Sequence, residues 1–166
     1  MLVSEEQIEG LNIALNEAAL LGLEVDAHRN IGAATFSVLT LPESGSIPDD
    51  RRVQFLFLPI GRVAVSLRNG RWDDLNAQIE RVQITNLLQI VESFGGQSLY
   101  GWEFFDVPEK NNFEQWANRL SLDFRTTANG FEHTIDLFQE SHERILDIRL
   151  WFNEFLIKDP DGNRIP

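Results

Sequence analysis

Few residues of this sequence stand in a pattern that chemistry requires. Asp26 and His28 are two positions apart, and on an extended segment such residues point to the same side. Their carboxylate and imidazole form a legal pair of metal ligands or an acid–base couple. Glu103 and the neighbours His142 and Glu143 are the other groups able to join them in three dimensions. The chain has three histidines in all and no H-E-x-x-H, so the pair reads first as a solvated polar strand face. His133 is in phase with Phe131, Ile135 and Leu137 and reads as a hydrogen-bonded, half-buried histidine rather than a base. Asp73–Asp74 and Glu103/Asp106 are flanked by aromatic residues, but an acid–base dyad needs a desolvated carboxyl. With 26 acidic residues, such pairs arise by number alone. No catalytic residue, metal site or cofactor is assigned.

Nucleophilic chemistry finds no support, since there is no cysteine and no G-x-S-x-G. Gly95-Gly96-Gln97-Ser98 lacks the lysine of a phosphate loop and follows a helical pattern rather than a strand. Recognition has more to work with. Phe94 to Asp106 combines three glycines with Tyr100, the sole tyrosine, and Trp102, followed by Glu103. Tyrosine and tryptophan present large rigid surfaces with a polar handle. Trp151 shares a strand face with Asp147 and Arg149, opposite Leu146, Ile148, Leu150 and Phe152. It marks a contact surface if that face is solvated, and is core if a second layer covers it. With Trp72, the candidate binding residues are Trp72, Tyr100, Trp102, Glu103 and Trp151.

The elements that must position these residues are mostly strands. Ser4-Glu5-Glu6-Gln7 has capping-box spacing, and Ile8, Leu11, Leu15 and Ala18 follow at helical intervals. A helix is therefore expected over 5–21, ending at Gly22. Residues 23–28 and 33–41 alternate as strands, and 42–50 is a loop of turn formers. Strands are expected at 53–58 and 62–68, joined by a tight connection at Pro59-Ile60-Gly61. Asn69-Gly70 is a hairpin signal, but the stretch 69–84 is ambiguous between helix and strand. A helix is expected over 85–94, a strand at 102–107 and a short helix at 111–120. Strands follow at 122–124, 131–137 (after Asn129-Gly130) and 146–152. Together these describe an α+β fold in one domain, residues 1–166: a curved, mainly antiparallel sheet with two to four helices packed on it.

The 166 residues carry a net charge of −12, distributed as −8 over 1–50, +2 over 51–100 and −6 over 101–166. An acidic surface repels phosphate backbones, and the arginines of the middle third (Arg51, Arg52, Arg62, Arg68, Arg71) are its sole basic concentration. Nucleic acid is not the expected partner. The longest apolar run, Phe55 to Ile60, is far short of the ~20 residues of a membrane span. The N-terminus has no basic and apolar leader pattern, and a cytoplasmic protein is expected. The residue pattern does not state a function. It favours a non-catalytic interaction module for a basic protein partner, regulatory or immunity-like. The alternative is a small-ligand binder or hydrolytic enzyme using Asp26, His28, Glu103 and His142. A two-fold homodimer through the Trp151 face or an open strand edge suits either.

Overall fold

The computed structural model describes residues 15, 18–37, 52–70, 77–94, 101–106, 119–126, 133–141, 144–159, 161 and 164–165, with the backbone alone at 101–106 and 164–165. Branched and aromatic residues recur between Arg52 and Asn69 and again between Arg144 and Lys158, the composition that favours a pleated, buried strand. These two stretches are the longest strands of the fold. In chain order the strands are β1 (Ala19–Asp26), β2 (Ile31–Ser37), β3 (Arg52–Asn69), β4 (Gln78–Glu80), β5 (Gly101–Asp106), β6 (Leu122–Arg125), β7 (His133–Ser141), β8 (Arg144–Lys158) and β9 (Arg164–Ile165). All nine belong to one antiparallel sheet, whose main path runs β1-β2-β3-β8-β7-β5.

β3 and β8 pair along almost their whole length, from Gln54↔Lys158 to Asn69↔Arg144. They form a central ribbon with different neighbours at its two ends. The first half of β3 pairs with β2, which pairs with β1; its second half pairs with β6 at Arg62–Val65 and with β4 at Leu67–Asn69. On the far side of the ribbon, β8 carries β7 and then β5. The inner face holds Phe36, Val53, Phe55, Phe57, Ile60, Val63, Val65, Leu146, Ile148, Leu150 and Phe152, all buried. Aromatic rings gather on this face: Phe57 lies 4.8 Å from Phe152 and Phe36 lies 5.0 Å from Phe55, centroid to centroid.

The fold differs from the α+β expectation. Among the described residues the helical content, Leu15 apart, is one segment of nine residues: a 3-10 turn, Ile84–Asn86, leading into α1, Leu87–Glu92. Asn86 starts it by accepting the Gln83 N–H on its side-chain oxygen, 2.9 Å. Leu87 and Val91 are the buried positions of α1, and Phe94 beyond it is also buried. The fold is thus mainly antiparallel sheet, and among the described residues two to four helices packed on it are not seen. Of the helix expected over 5–21, Leu15 is helical, but Ala19 onward is β1. Ala19 to Asp26 are instead paired with β2, so tertiary pairing overrides the local pattern, and a β-bulge between Leu20 and Gly22 turns both Leu20 and Leu23 inward. Three-residue apolar spacing, a helical sign, here comes from a bulged strand. The same device accounts for Pro59-Ile60-Gly61: no turn interrupts β3, and a register shift between Ile60 and Arg62 leaves both Ile60 and Val63 buried. The helix expected at 111–120 lies almost wholly outside the described residues, and Arg119 and Leu120 are not helical. Asn129-Gly130 is also outside them, and the strand before it, β6, pairs with β3.

Candidate functional site

The second face of the central ribbon is ionic and covered. Arg62, Ala64, Ser66 and Arg68 of β3 alternate with the core residues, and across from them stand Trp151, Arg149, Asp147 and Ile145 of β8. Ser66, Thr134 and Arg149 are 0%, 1% and 2% exposed and Trp151 is 8% exposed. Cross-strand register brings opposite charges together. Arg149 donates two hydrogen bonds to Asp136 (2.6 and 2.8 Å), and Arg62 donates two to Asp123 (2.7 and 2.8 Å). Arg68 donates one to Asp147 (2.9 Å); on the opposite face, in phase with Leu67 and Leu146, Arg144 donates one to Glu80 (3.2 Å). The Trp151 ring lies beside two guanidiniums, 4.8 Å from that of Arg62 and 5.8 Å from that of Arg149, within range of cation–π attraction.

Two of these carboxyls respond oppositely to their surroundings. The hydrogen bonds from Arg62 hold the Asp123 carboxyl below its ordinary value, against a smaller effect of burial. Burial pushes the Asp147 carboxyl up and outweighs the attraction of Arg68 and Arg119, while Asp136 adds to the rise. The Ser66 hydroxyl and the Arg68 Nε are buried and make no hydrogen bond. This ladder ties four strands together by charge, and its geometry is that of internal structure.

A groove lies on the other half of the sheet, between α1 and the outer face of β1, β2 and β3. Its volume is about 360 Å³, and Leu21, Gly22, Glu24, Thr35, Arg52, Gln54, Leu88 and Glu92 line it, with Ala33. The strand register explains this set. Glu24 pairs with Ala33, Gly22 with Thr35 and then Gln54, and Arg52 with Ser37, so their side chains share the outer face. The bulge at Leu21 and the missing side chain at Gly22 let α1 come close. A Cβ on Gly22 would sit 3.2 Å from Leu88 Cδ1. Glu24 and Glu92 are exposed, and neither forms an ion pair with a described residue, whereas the carboxylates of the ladder are each matched to an arginine.

The residues singled out from the sequence that the structure describes are dispersed. Asp26 ends β1, and His28 lies in the following turn rather than on a strand face. Asp26 accepts the backbone N–H groups of His28 and Arg29 (3.0 and 3.1 Å), which makes it a turn residue. Trp102 and Glu103 are on β5, the edge strand opposite β1 in the sheet path, with Glu103 paired to Asp136. Trp72, Tyr100 and His142 lie outside the described residues. Trp151 is buried within the ladder, and His133 is buried 6.2 Å from Phe152. Among the described residues no three His, Cys, Asp or Glu side chains converge as metal ligands. No described helix is long and apolar enough to cross a membrane.

The groove residues carried little signal in the sequence. Glu24 and Thr35 are ordinary outward positions of alternating strands, and Glu92 is a polar position of a short helix. Compared with protein-family models, with curated proteins and with solved structures, the chain finds no match in any of the three.

Proposed function

We propose that this chain is a non-catalytic interaction module for a basic protein partner, of a regulatory or immunity-like kind and acting in the cytoplasm. The observation that carries this reading is the unequal use of charge. Arg62, Arg68, Arg144 and Arg149 spend their charge on carboxylates of the same sheet. The acidic excess of a chain with 26 acids and 14 bases is therefore left to the exterior, including Glu24 and Glu92. A field of one sign steers a partner of the other and suppresses wrong ones. The arginines Arg62 and Arg68, which could have formed a basic patch, are matched to Asp123 and Asp147, which argues against nucleic acid.

The test is capture of partners from the source cells by the full chain, followed by reconstitution with the purified candidate. A positively charged protein is expected, bound at least several-fold more weakly at 300 mM than at 50 mM salt, because surface charges are screened within about a Debye length. Native mass spectrometry showing monomer alone, or a partner indifferent to salt, overturns the reading.

A further inference from the structure

Resting on that reading, we propose that the groove between α1 and the outer face of β1–β3 receives an extended segment of the partner bearing a lysine or arginine. The cationic head meets Glu24 and Glu92. Four observations converge on this occupant.

First, a volume of about 360 Å³ equals roughly a dozen waters of liquid volume. That suits a long side chain with its adjoining backbone. Second, the lining matches the two-part character of lysine and arginine, an apolar stem with a charged head. Leu21, Ala33 and Leu88 offer apolar surface, while Glu24 and Glu92 offer charge. Thr35 and Gln54 add hydrogen-bonding groups for peptide backbone. Third, the two glutamates are the carboxylates of the groove, and neither is engaged by a described cation, whereas Arg52 already has an interaction of its own. Fourth, the register separates the charges. Glu24 and Arg52 are two strands and four residues apart, or about 16 Å between Cα atoms at ordinary sheet spacings. Arg52 therefore lies beyond a Debye length of ~8 Å at physiological salt and does not cancel the acidic end. That span equals about five extended residues, and it gives a bound segment a direction, cation at Glu24 and any acidic residue at Arg52.

The test selects a phage-displayed library of random 12-residue peptides on the full chain and measures the enriched peptides against E24K/E92K. Enriched sequences are expected to share a lysine or arginine beside an apolar residue. They should lose at least tenfold in affinity for E24K/E92K, and a smaller amount for E24Q/E92Q. Circular dichroism of each variant verifies that it is folded, and the milder pair stands in if the charge reversal is not. Enrichment without basic residues, no enrichment at all, or affinity for the variants within twofold of the parent overturns the proposal. The captured partner separates this from the broader reading. A partner that binds E24K/E92K as well as the parent removes the groove and leaves the interaction module standing. Absence of any partner for the parent chain removes both.

Discussion

Arg149→Met offers the sharpest test of the ionic ladder. Arg149 and Asp136 have side chains 3% and 23% exposed and are joined by two hydrogen bonds of 2.6 and 2.8 Å. Methionine keeps much of the arginine stem's volume and removes the guanidinium. Breaking one side of a buried ion pair costs about 3–5 kcal/mol, because the remaining charge stays desolvated. Asp136 keeps some contact with water, which places this case near the lower end, about 3 kcal/mol. Trp151 loses the guanidinium 5.8 Å from its ring, worth a further ~0.5–1 kcal/mol. The expected loss is about 3–4 kcal/mol, a large part of the 5–15 kcal/mol typical of a whole domain. Urea unfolding followed by tryptophan fluorescence would show it as a midpoint lower by roughly 1–3 M at ordinary m-values. The double variant D136L/R149M replaces the pair by apolar groups and is expected within about 1 kcal/mol of the parent, since such swaps are often neutral. A loss below ~1 kcal/mol in R149M, or a double variant as unstable as the single, would falsify the assignment of this pair as a desolvated structural tie.

Four further outcomes follow from the same structure. Asp123 has a depressed carboxyl pKa in the folded chain, so its contribution is present above the unfolded value and fades as pH falls through the folded one; D123N should therefore flatten the acid limb of urea midpoints measured from pH 3 to 7. Asp147 is raised, so its contribution is complete in acid and lost as pH rises through the folded value; D147N, which mimics the protonated carboxyl, should gain on the parent with rising pH, and a loss at pH 7 would mean that Arg68 outweighs burial. Ser66 is fully buried with its hydroxyl unbonded, and an unbonded buried hydroxyl costs about 1–3 kcal/mol, so S66A should raise the thermal midpoint or leave it unchanged. Glu92 ends α1, where a negative charge opposes the helix dipole by ~0.3–1 kcal/mol; E92K should be as stable as the parent or slightly more so while binding the selected peptides less well, and a clear drop in melting temperature would contradict this.

The sequence by itself was most informative where one neighbour relation repeats. Alternation over 133–137 and 146–152 marked the paired strands β7 and β8, because a strand with one apolar face writes its orientation at every second residue. Leu87, Val91 and Phe94 marked the one described helix through their spacing. Net charge and the lack of nucleophile or phosphate-loop motifs directed attention to binding rather than to a reaction. Bulges defeated the same reasoning. At Leu20–Leu23 and Ile60–Val63 an inserted residue converts two-residue spacing into three, and strict alternation is lost inside β1 and β3.

What tertiary structure alone decided was which strands lie side by side. Arg62 meets Asp123, Arg149 meets Asp136 and Arg68 meets Asp147 across separations of 61, 13 and 79 residues. Nothing local to any of these positions specifies the partner, because a carboxylate attracts every arginine equally until the backbone register selects one. That register turned Trp151 from a candidate surface anchor into a buried ring beside the guanidiniums of Arg62 and Arg149. It also gathered Glu24, Thr35, Gln54 and Glu92 from four separate elements around one groove.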